Sequence, residues 1–263
     1  MNKTEWYRDT EFWQIFSPIM FDEAHWAEVP LVADAVTRLS RFNLYGETSS
    51  AMWKEPLESP PKILDICCGV GRVSCEFARM GFSVTGVDIT ECFLNTAIED
   101  AKYEKLNIDF IHCDAREFVR KNYFDTAVNL YISFGYFSDL KDDLKVCVNA
   151  YESLKKDGSF IIETLGKEIA VRDFVEAEWF ERSGCTVLTE YKPVDSWTFL
   201  KNRWIILKDG KKVEKIFTQR LYSASELRAL LHEAGFKNVE IYGDWDESPY
   251  NQYAAKLIVV GRK

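Results

Sequence analysis

The sequence predicts an α/β fold: a mainly parallel sheet covered by helices on both faces, with a small antiparallel β insertion. Three observations carry this prediction. Between about residues 62 and 165, short runs rich in Ile, Val and Phe alternate with amphipathic stretches of helical length. Glycines at 81 and 158 fit as helix stops between them. After Leu165 the rhythm changes to long alternating segments around an Asp209-Gly210 pair, a hairpin signal.

The elements follow in order. Ahead of residue 60 lie an aromatic-rich segment with Trp6, Tyr7, Phe12, Trp13, Phe16 and Phe21, an amphipathic helix around Val32 to Phe42, and a linker, KEPLESPPK. KILDIC reads as the first strand, followed by a helix ending at Arg79-Met80-Gly81 and a second strand, FSVTGVD. Thr90 is placed to N-cap a helix running to Leu106, ahead of a third strand, IDFIHC. FDTAVNLYISFGY contains the fourth strand, and SFIIETL the fifth; a helix from about Asp139 to Leu154, closed by Lys156-Asp157-Gly158, joins them. A helical segment is then expected to about Phe180, followed by TVLTEYKPV and WTFLKNRWIILKDGKKVEKIFTQRLY as the antiparallel insertion. Ser223 to Glu226 is a capping box opening a helix that stops at Gly235. KNVEIYG and AKLIVVGRK are the last strands, with DWDESPYNQY as a loop between them.

Composition narrows the function. Of 263 residues, 47% are hydrophobic and 29% charged, which excludes a disordered or fibrous chain. No apolar run approaches the roughly 18 residues of a membrane helix, and MNKTEWYRDTEFW has no signal-peptide stretch, so no membrane association and a cytoplasmic location are expected. Seven scattered cysteines without a C-x-x-C pair argue for reduced thiols and against a zinc site, so no metal is expected. A formal charge of -9 argues against a nucleic-acid partner. Aromatics reach 14% with 8 tryptophans, enough to line a pocket or to fill a core.

Lys62 to Arg72, KILDICCGVGR, is a buried strand running through a glycine turn into a helix. Gly69 and Gly71 let the backbone approach a ligand, and free N-H groups at the helix start suit a nucleotide-like molecule. The dinucleotide pattern G-x-G-x-x-G fails, because Arg72 or Ser74 stands where the third glycine belongs. That disfavours a nicotinamide oxidoreductase. Asp65, inside the strand, would repel a pyrophosphate and favour a cationic ligand.

The pattern h-h-D-h-x-C-G-x-G-R after a strand resembles motif I of class I S-adenosylmethionine-dependent methyltransferases. SFGYF, DLKDDL and LKKDGSFIIET resemble a bacterial and archaeal group of small-molecule methyltransferases. The resemblance implies a Rossmann-like methyltransferase sheet with one antiparallel C-terminal strand, S-adenosyl-L-methionine as cofactor, and methyl transfer to N or O of a small-molecule acceptor by in-line displacement. It places Asp88, with Ile89, at the ribose hydroxyls, Asp114 and Ala115 at the adenine, and Asn129, Leu130 and Tyr131 beside the sulfonium. Asp65, Cys67, Gly69, Gly71 and Arg72 belong to the cofactor turn, with Trp13 over it. It further implies an N-terminal lid at 1–60, a cofactor-binding core at 61–180, the insertion over the active site at 181–222, and core-completing elements at 223–263.

Cys67 stands where this family usually has glycine, so a positive φ is not expected there and the turn should close on Gly69 and Gly71. Several residues carry a plainer alternative. Asp88 could be a helix-flanking surface acid, Asp65 a structural acid holding the turn, and Asp114 a cap for the helix beginning AREF. Cys67 and Cys68 fit as packing residues, and the N-terminal aromatics as a core-facing helix stripe. Lys208 to Lys215 fits a solvated hairpin tip. Tyr131 and Tyr136 are pocket candidates. No general base stands out; His25, Glu163 and Tyr131 are the candidates, and an amine acceptor delivered uncharged would need none. A non-catalytic cofactor-binding or partner protein is the alternative function, and the chain is expected as a monomer or homodimer.

Overall fold

The computed structural model describes residues 5–42 and 59–263, so most of the expected linker, 54–58, lies outside the described residues. The described residues begin with a short 3-10 turn, Trp6–Arg8, followed by α1 (Thr10–Met20), α2 (Glu23–Ala27) and α3 (Val29–Ser40). The core then alternates β1 (Lys62–Ile66), α4 (Arg72–Arg79), β2 (Ser83–Asp88), α5 (Glu91–Tyr103), β3 (Ile108–His112), β4 (Phe124–Asn129), α6 (Leu140–Ser153) and β5 (Leu154–Thr164). A short α7 (Lys167–Arg172) leads to the insertion, β6 (Ala177–Arg182), β7 (Cys185–Val194), β8 (Phe199–Lys208) and β9 (Lys211–Arg220). The chain closes with α8 (Ala224–Ala234), β10 (Asn238–Tyr242) and β11 (Leu257–Arg262).

Seven strands form the main sheet in the order β10-β11-β5-β4-β1-β2-β3. β1 to β5 are mutually parallel, and β11 runs antiparallel to both β5 and β10, so one C-terminal strand is reversed as expected. The central strands are buried on both faces, which is why they read as continuous apolar runs. One face packs on α6 and α8 through Phe124, Phe160, Leu227 and Leu231; the other packs on α3 and α4 through Val36, Ile63, Phe77 and Ile258. The strand order reverses between β1 and β4, and open sheets of this kind bind ligands beyond the carboxyl ends of their strands at such a point.

The insertion is a four-stranded antiparallel sheet, β6-β7-β8-β9. Its apolar face, with Val187, Ile206 and Phe217, packs on Phe12, Phe16 and Ile19 of α1. At roughly 1.5 to 3 kcal/mol for each buried apolar side chain, three α1 residues hold the N-terminal segment to this sheet by several kcal/mol. The β8-β9 hairpin turns on Asp209 and Gly210, both with positive φ, as the Asp-Gly pair predicts.

Several local expectations are corrected. The helix foreseen to Phe180 stops at Arg172, and Glu178, Phe180 and Arg182 alternate along β6, which pairs with β7. Gly158 is not a helix stop: α6 ends at Ser153, β5 begins at once, and Gly158 lies in a strand irregularity where a Cβ would sit 3.0 Å from the Asp125 carbonyl oxygen. The fourth strand ends at Asn129. Helix α3 spans Val29–Ser40 rather than Val32 to Phe42, with Pro30 in its first turn. Thr90 occupies the N-cap of α5 without a side-chain cap bond. Lys215 is no solvated tip residue; its Nζ lies 2.9 Å from Asp9 Oδ2 and 2.7 Å from Glu11 Oε2.

Candidate active site

The carboxyl ends of β1 to β5, the N-terminal segment and the inner face of the inserted sheet enclose one cavity of about 770 Å³. Of the expected site residues, Trp13, His25, Asp65, Cys67, Gly69, Arg72, Asp88, Ile89, Asp114, Ala115, Asn129, Leu130, Tyr131 and Glu163 all line it; Gly71 shapes the turn from outside. Residues separated by 150 positions in the chain therefore meet because each ends a strand of one sheet or faces it from the lid.

The glycine turn departs from expectation at Cys67. Its φ is +62°, so the strain excluded by the sequence reading is present, alongside +56° at Gly69 and +74° at Gly71. The turn is held from the next strand: Cys68 N-H donates to the Val87 carbonyl oxygen at 3.1 Å. Gly71 is required twice over, by its φ and because a Cβ would meet Ala97 Cβ at 2.7 Å and Phe110 Cζ at 2.9 Å. Cys67 and Cys68 carry thiols pushed up by burial, which keeps them protonated and suits packing rather than nucleophilic chemistry.

Asp88 is 8% exposed. Its Oδ2 accepts from Gly69 N-H at 2.8 Å and its Oδ1 from Thr90 N-H at 2.7 Å. A carboxylate has about four acceptor positions, so Asp88 keeps two open, one per oxygen. Burial raises its pKa, and the Thr90 and Gly69 N-H groups oppose the rise. Asp65 accepts from Ser74 Oγ at 2.6 Å; burial pushes its carboxyl up to about 7, against that hydrogen bond and assisted by the Asp88 charge. Asp65 thus has the structural role of holding Ser74, and a bound cation would favour its ionised form.

Arg72 is buried, donates Nη1 to the His25 carbonyl oxygen at 2.5 Å and lies 3.6 Å over the Tyr131 ring. Burial lowers its pKa. Tyr131 and Ile132 both have positive φ, 53° and 60°. Glu163 holds this strained turn: its Oε2 accepts Tyr131 N-H at 2.5 Å, its carbonyl oxygen accepts Ile132 N-H at 3.3 Å, and Lys256 Nζ lies 3.6 Å from Oε1. Burial raises the Glu163 pKa. The Tyr131 hydroxyl is buried without a partner among the described residues, and burial pushes its pKa up to about 12 against the pull of Arg72. His25 Nδ1 lies 2.6 Å from Asp22 Oδ1.

Asp114 is placed differently. Its Oδ1 accepts from Arg116 N-H at 2.9 Å and Arg116 Nε at 3.0 Å, and its Oδ2 from Arg8 Nη2 at 2.6 Å and Arg116 Nη2 at 2.7 Å. The helix foreseen at AREF is absent: residues 115–117 form a turn, and Asp114 caps nothing longer than that turn through Arg116 N-H. The sequence reading missed Arg8 and Arg116 altogether, because neither falls in a patterned motif.

It also missed the roof. Thr189 and Trp204 face each other across β7 and β8, Tyr191 and Asn202 are the next pair on that face, and Glu178 flanks Thr189 on β6. All five line the cavity. Thr189 Oγ1, Trp204 Nε1 and, on the floor, Asn129 Oδ1 are buried without a partner among the described residues. The alternation of TVLTEYKPV does place Val187, Thr189 and Tyr191 on one face, but nothing in the sequence says which face meets the cavity. Of the N-terminal aromatics, Trp6, Tyr7, Phe12, Trp13 and Phe21 line the cavity and Phe16 is buried against the inserted sheet; Trp6 packs on Phe217 and Tyr136 at centroid distances of 4.6 and 4.7 Å.

Residues 63–158 match the family model for a methyltransferase domain. A putative methyltransferase of Geobacillus sp. (strain WCH70) is 25% identical over 212 residues, covering 77% of this chain and 84% of that one. A glycine/sarcosine N-methyltransferase of Aphanothece halophytica is 27% identical over 205 residues, covering 77% and 76%. The crystal structure of an S-adenosylmethionine-dependent methyltransferase from Clostridium acetobutylicum ATCC 824 superposes with a TM-score of 0.75 at 15% identity, covering 96% of this chain and 97% of that one. Residues 63–158 thus match a methyltransferase domain, and the chain has the Rossmann-like fold of S-adenosylmethionine-dependent methyltransferases, with a mostly parallel seven-stranded sheet and a reversed final strand.

Proposed function

We propose that the acceptor is a small polar molecule with a nucleophilic N or O, held between the inserted sheet and the turn at Tyr131. The observation that carries this is the set of buried polar atoms without partners on opposite walls of the cavity, Thr189 Oγ1 and Trp204 Nε1 above and Tyr131 Oη below. An unpaired buried polar group costs about 1 to 3 kcal/mol. These three are explained by a ligand that pairs with them, and a purely apolar acceptor would leave them unpaired.

S-adenosyl-L-methionine supplies the electrophilic methyl, so the protein's work is binding, alignment and exclusion of water. Asp88 would take the ribose hydroxyls with its two open acceptor positions. Asp65 and the Asn129 Oδ1 offer negative potential to the amino-acid ammonium, and the buried Arg72 guanidinium suits its carboxylate. Trp6, Phe12, Trp13, Tyr136 and Phe217 exclude water from the reacting atoms. Tyr131, neutral below about 12, donates or accepts a hydrogen bond at the acceptor and does not remove its proton. His25, oriented by Asp22 through Nδ1, leaves Nε2 for that proton where the acceptor carries one. Glu163 serves by holding the Tyr131 turn.

We place this activity in the cytoplasm, with the protein acting as a monomer or homodimer; no helix among the described residues is long and apolar enough to cross a membrane. The test is release of S-adenosylhomocysteine in a screen of small amines and hydroxylated compounds. Thr189→Val should lower kcat/KM for the acceptor that emerges while cofactor affinity is unchanged; an equal effect on both would refute this placement of the acceptor.

A further inference from the structure

We infer that Asp114 is the lock of the N-terminal segment rather than a ligand of the adenine amine, and that Arg8 is the positioning residue that closes this segment over the cofactor. The inference rests on the cofactor reading of the cavity.

The two strand-end acids differ in how much of their accepting capacity is used. Asp88 has two of about four positions filled and Asp114 has all four, three by Arg116 and one by Arg8. An exocyclic amine would have to displace a guanidinium from Asp114 to reach it. Arg116 belongs to the core side: it also reaches Asp142 Oδ2 at 3.1 Å and lies 4.6 Å over the Phe137 ring. Arg8 arrives from the N-terminal segment, 106 positions away in the chain. Glu5 joins the two guanidiniums, accepting from Arg8 Nε at 2.7 Å and from Arg116 Nη1 and Nη2 at 3.0 and 3.2 Å.

The same segment is fastened to the other wall. Trp6 Nε1 donates to the Thr218 carbonyl oxygen on β9 at 3.0 Å, and within the segment Trp13 Nε1 donates to the Tyr7 carbonyl oxygen at 2.7 Å. Trp6, Tyr7 and Trp13 all line the cavity. The segment thus spans from the loop after β3 to the inserted sheet, and at the core end it is fastened by Arg8 on Asp114 together with Glu5 on Arg116. Arg8 is 43% exposed and Asp114 only 8%, so the pair is stronger than an open surface pair and still able to release.

The experiment measures S-adenosylhomocysteine dissociation by stopped-flow tryptophan fluorescence, with calorimetric Kd, for the full chain and for Arg8→Ala, Arg8→Lys, Asp114→Asn and the double variant Arg8→Ala/Asp114→Asn. Arg8→Ala is expected to speed dissociation roughly five- to tenfold with little change in association rate. Arg8→Lys should recover part of the loss, and the double variant should be no worse than Asp114→Asn alone. Wild-type dissociation in Arg8→Ala, or an Asp114→Asn loss that adds to that of Arg8→Ala, would overturn the inference and return Asp114 to the adenine. Amide hydrogen exchange over Thr10–Met20 without ligand supplies a second reading: faster exchange in Arg8→Ala supports the lock, and unchanged exchange refutes it. Wild-type protein that bound no S-adenosylhomocysteine would refute the cofactor reading itself, and the exchange measurement would still decide the lock.

Discussion

Replacing Asp88 by Ala removes the two open acceptor positions that distinguish this acid from Asp114. Each hydrogen bond from a neutral donor to a charged acceptor contributes about 1.5 to 3 kcal/mol, so losing both ribose contacts costs roughly 3 kcal/mol or more, about 150-fold in Kd. The substitution also strips Gly69 N-H and Thr90 N-H of their acceptor. It therefore destabilises the fold as well, by about 1 to 3 kcal/mol for each N-H that water cannot reach. Isothermal titration with S-adenosylhomocysteine, run well below a melting temperature measured on the same sample, separates the two effects. A folded Asp88→Ala protein with a Kd within about threefold of wild type would refute the assignment of Asp88 to the ribose.

Gly71→Ala should cost more than about 2 kcal/mol in urea unfolding, since the new Cβ meets Ala97 and Phe110, while Gly210→Ala, with a similar φ and open space, should cost only about 1 kcal/mol. Equal costs would mean that backbone strain alone governs both. Burial pushes the Asp143 carboxyl up to about 7, against its hydrogen bond from Tyr222 at 2.7 Å. A raised carboxyl keeps its proton in the native state after the unfolded chain has lost it, so its share of stability is full below the unfolded pKa and lost as pH rises through about 7. Asp143→Asn should accordingly be more stable than wild type at about pH 8, with the gap closing toward about pH 5; urea midpoints at the two values check this.

The sequence disclosed what depends on period and punctuation. Strands such as KILDI and SVTGVD carry their Ile, Leu and Val in strand-length runs bounded by helix and turn signals, and the Ser223 capping box and Asp209-Gly210 turn are local chemistry read without tertiary context. Errors fell where tertiary structure decides. Residues 173–180 carry a pattern compatible with a helix, and β6 exists because β7 offers it an edge. Cys67 adopts a positive φ in a turn between β1 and α4 that β2 holds through Cys68 N-H on the Val87 carbonyl oxygen, a constraint no local propensity expresses. Arg8 and Arg116 were invisible because an ion pair linking residue 8 to residue 114 leaves no periodic trace. The roof of the cavity was half legible: alternation grouped Thr189 with Val187, and packing against Phe12 and Phe16 settled which face turned inward.

Titration of the wild-type protein with S-adenosylhomocysteine tests the account most directly. A saturable one-to-one isotherm is expected, with the cofactor product raising the melting temperature as binding to the native state requires. No heat and no thermal protection at millimolar concentration would contradict the assignment of this cavity to S-adenosyl-L-methionine.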